Sequence, residues 1–312
     1  MLILAADIGG TNTRLALIET TGRQARILER DSAASRTLSS LAPRVRQFLA
    51  GKPVPARACF AVAGPVVDGT VQTTNLPWII RTAELAREIG IPDTVLINDF
   101  AAVGESLALL GPAELFTLQA GRRDPTGPVA LIGAGTGLGQ GFLFHDGTRY
   151  RVRASEGGHA SFAARTAREW RLRTWLEQRL GPVSWENVLS GPGLSAGYQC
   201  LGGSPTAEDP AAISARGLDG SDPAAAEALD LFAAAYGAQA GNLALTVLAT
   251  GGVYVAGGIA PRLIAKLQDG TFMRAFGEKG ELEEFLARVP VQVVMSPDAG
   301  LLGAAAVAAR GM

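Results

Sequence analysis

The chain has 312 residues, 47% of them hydrophobic and 18% charged, which suits one large or two modest packed domains and excludes a disordered chain. A net charge of −1 leaves no basic excess for a nucleic acid or an anionic membrane surface. The two cysteines, Cys59 and Cys200, form no C-x-x-C motif and read as free thiols in a reducing, cytoplasmic setting.

Residues 2–7 and 15–19 are short apolar strands on either side of Asp7-Ile8-Gly9-Gly10-Thr11-Asn12-Thr13-Arg14. Strand, Gly-Gly turn and strand make a hairpin whose tip presents backbone N–H groups to an anion. Glycine is needed there because a Cβ would hold phosphate oxygens away from the backbone. The first apolar run stops at Asp7 with no basic stretch before it, so it reads as a strand and not as a signal peptide. Residues 38–49 place Leu38, Leu41, Val45, Phe48 and Leu49 at helical spacing. Residues 57–63 read as a buried strand running into Gly64-Pro65, and residues 66–71 as a hairpin around Asp68-Gly69. Residues 82–89 read as a helix with Thr82 as its N-cap. A strand over 94–98 then ends at Asn98-Asp99, and an Ala- and Leu-rich helix covers 100–110.

The same logic restarts further on. A strand over 129–132 enters Gly133-Ala134-Gly135-Thr136-Gly137-Leu138-Gly139, and a return strand covers 141–144. Two such units suggest a duplicated core. Residues 164–180 predict a helix with Arg165, Arg168, Arg171, Arg173 and Arg179 on a solvated side and Trp170, Leu172, Trp175 and Leu176 on the other. Residues 202–223 read as a mobile loop with at most one short helix. A long Ala-rich helix over 224–249 follows, then a strand over 253–256 that ends at Gly257-Gly258-Ile259. A strand over 291–295 and a small-residue helix over 299–309 close the chain. The apolar run 243–259 is interrupted by Gly251-Gly252 and Gly257-Gly258, so it does not read as a bilayer span.

Two glycine-threonine turns and a carboxylate at a strand end are the parts that phosphoryl transfer needs: cradles for a polyphosphate and a base beside its terminal phosphorus. With no field of Lys and Arg, phosphate binding falls to backbone dipoles and a metal ion. Asp7 either holds magnesium through water or braces its own turn. Asp99 is either a general base or a helix N-cap, with Asn98 beside it to position hydroxyls. Glu156-Gly157-Gly158-His159 suits hydrogen bonding to a polyol better than zinc, because no cysteine lies close by. His159 alone would read as structural. Glu186, just before Asn187-Val188-Leu189-Ser190-Gly191, would alone read as a surface residue on a helix. No G-x-x-x-x-G-K-[ST] motif occurs, and no strand–G-x-G-x-x-G–helix unit opens the chain.

Taken together, D-I-G-G-T-N-T-R, L-I-N-D-F-A-A, G-A-G-T-G-L-G, E-G-G-H, W-E-N-V-L-S-G-P-G-L and V-A-G-G-I-A-P-R closely resemble the motifs of bacterial ATP-dependent glucokinases, in the hexokinase and actin-like ATPase superfamily. The resemblance runs from Ala6 to the helix after Asp298. It implies an α/β fold of two ribonuclease-H-like domains with an active-site cleft between them. Residues 1–109 plus 299–312 would form the small domain and 110–298 the large one. It implies glucose and ATP as substrates, Mg2+ as a cofactor and a homodimer. It makes Asp99 the catalytic base and places Asn98, Asp99, Glu156, His159 and Glu186 on glucose hydroxyls. Asp7, Ile8, Gly9, Gly10, Thr11, Asn12 and Thr13 would hold the ATP phosphates, with Asp7 organising magnesium through water. Gly135, Thr136 and Gly137 would face them, and Gly257 and Gly258 would border the adenosine. After E-G-G-H, Ser161 and Ala164 stand where many members have an acidic residue and a proline. The cysteine-rich zinc motif of the related repressor and kinase group is absent, which places the chain with the glucokinases lacking zinc. The competing expectations are a kinase for another hexose or an amino sugar, and a sugar sensor without turnover. A sensor has no need of a base or of two phosphate turns.

Overall fold

Residues 1–22, 24–73, 76–204 and 209–311 are described by the structure, a computed structural model. The chain divides into two units, Met1–Glu114 with Ser296–Met312 and Leu115–Met295.

In the first unit, β1 (Leu2–Ile8), β2 (Asn12–Thr21) and β3 (Gln24–Ala34) form an antiparallel meander. Helix α1 (Leu41–Leu49) leads to β4 (Arg57–Val62), which pairs parallel to β1. Strands β5 (Val66–Val67), β6 (Thr70–Gln72) and β7 (Ile79–Arg81) make a small separate sheet. Helix α2 (Thr82–Ile89) precedes β8 (Thr94–Asn98), parallel to β4, and α3 (Asp99–Ser106) follows at once. The main sheet has the order β3-β2-β1-β4-β8. Alternation along β1 explains its unbroken apolar run. Leu4, Ala6 and Ile8 face Val45 and Phe48 of α1 and Leu85 and Ile89 of α2. Ile3 and Ala5 face the other way, toward Ala102 of α3 and Leu301, Ala304 and Ala305 near the C-terminus. A strand covered on both faces needs apolar residues at every position.

The second unit begins with β9 (Leu115–Gln119), then β10 (Val129–Ala134), β11 (Leu138–His145) and β12 (Tyr150–Ser155). Helices α4 (Ala167–Leu180), α5 (Gly191–Cys200), α6 (Pro210–Asp219) and α7 (Pro223–Val247) precede β13 (Gly252–Ala256). The short helices α8 (Ile264–Leu267), α9 (Thr271–Gly277) and α10 (Glu283–Arg288) lead to β14 (Val291–Val294). The sheet order is β12-β11-β10-β13-β14-β9. Ala130 and Ile132 of β10 and Val253 and Val255 of β13 share a core with Leu229, Phe232 and Tyr236 of α7. The chain then returns to the first unit as α11 (Ala299–Arg310).

Both sheets follow one plan. A central strand, β1 or β10, has an antiparallel hairpin partner and a third antiparallel strand on one side, and two parallel strands on the other. This is the duplicated core expected from the paired turns, and the ribonuclease-H-like plan that the family resemblance implies, with β9 added at one edge of the second sheet.

Some local expectations change. The helix expected from residue 38 starts at Leu41, after a 3-10 turn over Ser35–Thr37. Thr82 is the first residue of α2 and not its cap; its hydroxyl donates to Gly69 O at 2.8 Å, and Arg81 takes the cap position. Trp170 lies on the solvated side of α4, with the Arg173 guanidinium 5.0 Å from its ring centre, while Glu169, Leu172 and Leu176 are buried. The loop with at most one short helix expected over 202–223 holds one helix among its described residues, α6, whose N-terminus is capped by Asp209. The mobility expected there falls partly on residues 205–208, which lie outside the described residues. Strands β3, β7, β9 and β12, which sequence signals do not reveal, all lie at sheet edges. Charges along β3 and β12, such as Arg26, Glu29, Arg151 and Arg153, hide an edge strand from periodicity while protecting it from mispairing. Among the described residues no helix is long and apolar enough to cross a membrane.

Candidate active site

Strand register gathers the candidate residues of the first unit on one edge. Ile8 pairs with Val62, and Val62 with Asn98. The Gly-Gly turn and Asn98-Asp99 therefore leave the sheet at the same carboxyl edge, two strand spacings or about 10 Å apart. Ligands of open α/β sheets bind at that edge.

The turn is built by backbone and braced by hydroxyls. Gly9 N–H donates to Asn12 O at 3.0 Å. Ser35, fully buried, donates its hydroxyl to Gly9 O at 2.7 Å, and its oxygen lies 3.0 Å from that of Thr13. Ile8 and Thr13 are buried, Gly9 and Gly10 half-buried, and Thr11 and Asn12 exposed. The part open to a ligand is thus the tip itself. Sequence reasoning misses Ser35, because only the β2–β3 pairing of Asn12 with Ala34 brings it to the turn.

Asp7 sits across from Arg14 in the β1–β2 ladder, with 4.0 Å between Oδ2 and Nη1. Arg14 is held in turn by Pro297 O at 2.9 Å. Burial pushes the Asp7 carboxyl above the usual carboxylate range, and Arg14 draws it back down. Beside it, Gly300 leaves room; a Cβ there would lie 3.0 Å from the carboxylate.

At the end of β8 the cap of the following helix comes from Asn98. Its Oδ1 accepts from Phe100 N–H at 2.9 Å and Ala101 N–H at 3.1 Å, and its Nδ2 donates to Gly64 O at 3.1 Å. Asn98 is therefore the N-cap of α3. Asp99 becomes the first helical residue, half-buried, with Oδ1 accepting from Phe100 N–H at 2.9 Å. A carboxylate in a first turn is stabilised by the helix dipole. The Asn98 amide has two Nδ2 protons, of which the bond to Gly64 O uses one.

In the second unit the phosphate-type turn and the E-G-G-H turn interlock. Gly135 N–H donates to Gly137 O and Gly191 N–H to Gly135 O, both at 2.8 Å. Leu138 N–H donates to Glu186 Oε2 at 2.9 Å. Glu186 lies on the turn before α5 and not on a helix. Its backbone N–H donates to Gly158 O at 2.9 Å. A Cβ on Gly158 would lie 2.2 Å from Leu138 O, so only glycine lets the two turns approach this closely. His159 stands between two carboxylates, with Nδ1 3.9 Å from Glu186 Oε1 and Nε2 3.9 Å from Glu156 Oε2. The side chains of Glu156, His159 and Glu186 are 52%, 56% and 32% exposed, open enough to meet a ligand. Among the described residues no group of three or more His, Cys, Asp or Glu side chains is placed to hold a metal ion.

The remaining turn, Gly257-Gly258, leaves the adjacent strand. Gly133 pairs with Ala256 across β10 and β13, so Gly135–Gly137 and Gly257-Gly258 emerge side by side. Gly257 has φ +81°, and a Cβ on it would lie 2.4 Å from Ala134 O. Thr136, Gly257 and Gly258 are exposed.

A family model described as Glucokinase matches residues 4–311. The chain belongs to the glucokinase family. It is 43% identical to the glucokinase of Nostoc sp. strain PCC 7120, over 99% of each chain. The crystal structure of a glucokinase from an Antarctic psychrotroph is similar at a TM-score of 0.85 and 35% identity, over 99% of both chains. A ROK family glucokinase from Streptomyces griseus, solved with glucose and AMPPNP, shares the fold at a TM-score of 0.71 and 23% identity, with 100% of each chain covered. As a member of the glucokinase family the protein is an ATP-dependent hexose kinase that phosphorylates glucose.

Proposed function

We propose that the chain transfers the γ-phosphoryl group of ATP to the 6-hydroxyl of glucose, with Asp99 as the general base. The observation that carries this reading is the register row Ile8–Val62–Asn98, which puts a phosphate-type turn and a carboxylate on one sheet edge. Asp99 accepts the proton of the 6-hydroxyl as O6 bonds to the γ-phosphorus and the bond to the β-γ bridging oxygen breaks. Asn98, anchored by its cap, turns its remaining Nδ2 proton to a sugar oxygen. Glu156, His159 and Glu186 take further hydroxyls. A sugar lacking one of them leaves a carboxylate or imidazole without its partner, which is the source of selectivity.

Gly9 to Asn12 and Gly135 to Gly137 receive the polyphosphate on backbone N–H groups, with Gly257-Gly258 bordering the adenosine. The donor set fits Mg2+: one carboxylate, Asp7, with the room beside Gly300, suits an ion that keeps most of its ligands as water and phosphate oxygen. Bound there, Mg2+ would neutralise charge on the phosphates. We further read the enzyme as cytoplasmic, in keeping with its free Cys59 and Cys200, and as a homodimer on the strength of the family resemblance.

The test is ADP release with and without glucose, with kcat/KM compared for glucose, mannose, fructose and N-acetylglucosamine. Glucose should be preferred and required. Sugar-independent release, or a higher kcat/KM for another hexose, refutes the assignment.

A further inference from the structure

The long helix α7 carries the Tyr236 hydroxyl into the core of the second unit. Tyr236 is fully buried, and its ring stands edge-on to Phe232 and Phe272, each with ring centres 5.7 Å away. Its hydroxyl accepts from Ala134 N–H at 3.0 Å and donates to Ala256 O at 3.3 Å. Those two residues end neighbouring parallel strands. Ala134 immediately precedes Gly135-Thr136-Gly137, and Ala256 immediately precedes Gly257-Gly258. The β10–β13 pairing stops at Gly133 and Ala256. Past that point the backbone of Ala134 is completed by the Tyr236 hydroxyl on its N–H side and by Ile259 N–H, at 3.2 Å, on its carbonyl side. One phenol thus stands where the next rung of the ladder would be and ties together the roots of both turns.

We propose that the Tyr236 hydroxyl is a positioning residue for nucleotide binding, fixing the spacing between the two turns that hold the phosphates and the adenosine. This rests on the assignment of those turns under Proposed function. Tyr236 touches no ligand; it acts through Ala134 and Ala256. A hydroxyl suits the task because it donates and accepts at once, matching an N–H on one strand and a C=O on the next. Sequence offers no signal for it, since Tyr236 sits mid-helix at a spacing that reads as core.

The experiment is Tyr236→Phe in the full chain, read by AMPPNP and glucose binding separately and by hydrogen exchange. The ring stays, so the core stays filled; the buried Ala134 N–H loses its acceptor. Expected is a five- to thirtyfold rise in the AMPPNP Kd with the glucose Kd unchanged within twofold, and faster exchange of amides 134–137 and 257–259. Phe232→Leu is the control, because it loosens the same aromatic cluster without reaching either turn. If it weakens AMPPNP binding as much as Tyr236→Phe at a comparable loss of Tm, the effect is generic softening and the proposal is overturned. An unchanged AMPPNP Kd in Tyr236→Phe overturns it as well, while wild-type protection of both turns by AMPPNP would keep the nucleotide assignment intact. AMPPNP that binds but protects neither turn refutes that assignment, and the proposal with it. A measurement on the unaltered protein stands in if the variant is insoluble: the Ala134 amide should exchange among the slowest in its unit, and exchange at the rate of an exposed loop amide overturns the role.

Discussion

Asn98 and Asp99 are adjacent, yet Asn98 caps α3 and Asp99 is its first residue, and two substitutions should part the roles proposed for them. Asp99→Asn keeps the size of the side chain and an oxygen for Phe100 N–H but removes the basicity. The cap on α3 is untouched, because Asn98 provides it. Turnover should fall by about 10²–10⁴, the range for losing a general base, with Tm within about 1–2 °C of the parent. Asn98→Ala does the reverse to stability. It removes two hydrogen bonds to the first turn of α3 and one to Gly64 O. A lost cap costs about 0.5–2 kcal/mol, and an abandoned half-buried carbonyl adds about 1 kcal/mol. The sum, roughly 1.5–3 kcal/mol, should lower the Tm by about 3–8 °C. Activity of Asn98→Ala should fall mainly through the glucose KM, as one donor and the anchorage of α3 are lost. Steady-state kinetics and thermal unfolding of the two variants are sufficient. If Asp99→Asn loses as much stability as Asn98→Ala, Asp99 is holding the helix and the reasoning fails. If it keeps near-parental turnover, the base is elsewhere.

Asp7→Asn should abolish most activity yet raise the Tm at neutral pH. Burial raises the Asp7 pKa in the folded state, so the favourable contribution is present below the unfolded value of about 4 and lost as pH rises through the folded one. The gap between variant and parent should close as pH falls toward 4; a gap that is constant with pH contradicts this. Gly257→Ala places a methyl group 2.4 Å from Ala134 O at φ +81°, strain of about 1–2 kcal/mol from the left-handed backbone alone. The ATP KM should rise about tenfold with the glucose KM within twofold, and an unchanged ATP KM would remove this turn from the nucleotide site. Glu186→Gln removes the charge that Leu138 N–H donates to and one partner of His159. The glucose KM should rise by about tenfold or more, and isothermal titration showing unaltered glucose binding would strike Glu186 from the sugar contacts.

The central strands, the two glycine turns and Asn98-Asp99 were legible because each signal is local. An apolar run covered on both faces, a Gly-Gly turn and a strand-end carboxylate need no knowledge of what packs against them. The edge strands were not legible, because β3 and β12 carry charges to keep their open sides from pairing, and that conceals the alternation. Thr82 misled as a cap because its hydroxyl is taken by Gly69 O from the β5–β6 turn, a tertiary partner that outweighs local capping preference. Ser35 and Tyr236 were invisible for the same reason: each acts on a turn more than twenty residues away in sequence, through pairing or packing that only the folded chain creates.

The second turn also shows why counting glycines overstates the room for an anion. Gly135 N–H is committed to Gly137 O and Leu138 N–H to the Glu186 carboxylate. Gly158 is there so that Leu138 O can come close, not to cradle a ligand. The motif G-A-G-T-G-L-G therefore divides its labour: part of it shapes the turn, part locks the turn to the E-G-G-H segment, and Thr136 remains at the exposed tip. A carboxylate bonded to a phosphate-type turn would be a poor choice for a pure anion site, since it repels what the turn attracts. It makes sense where the same carboxylate has hydroxyls to receive. The placement of Glu186, bonded to one turn and facing His159 of the other, is thus better explained by a site for a polyol beside a polyphosphate than by either alone.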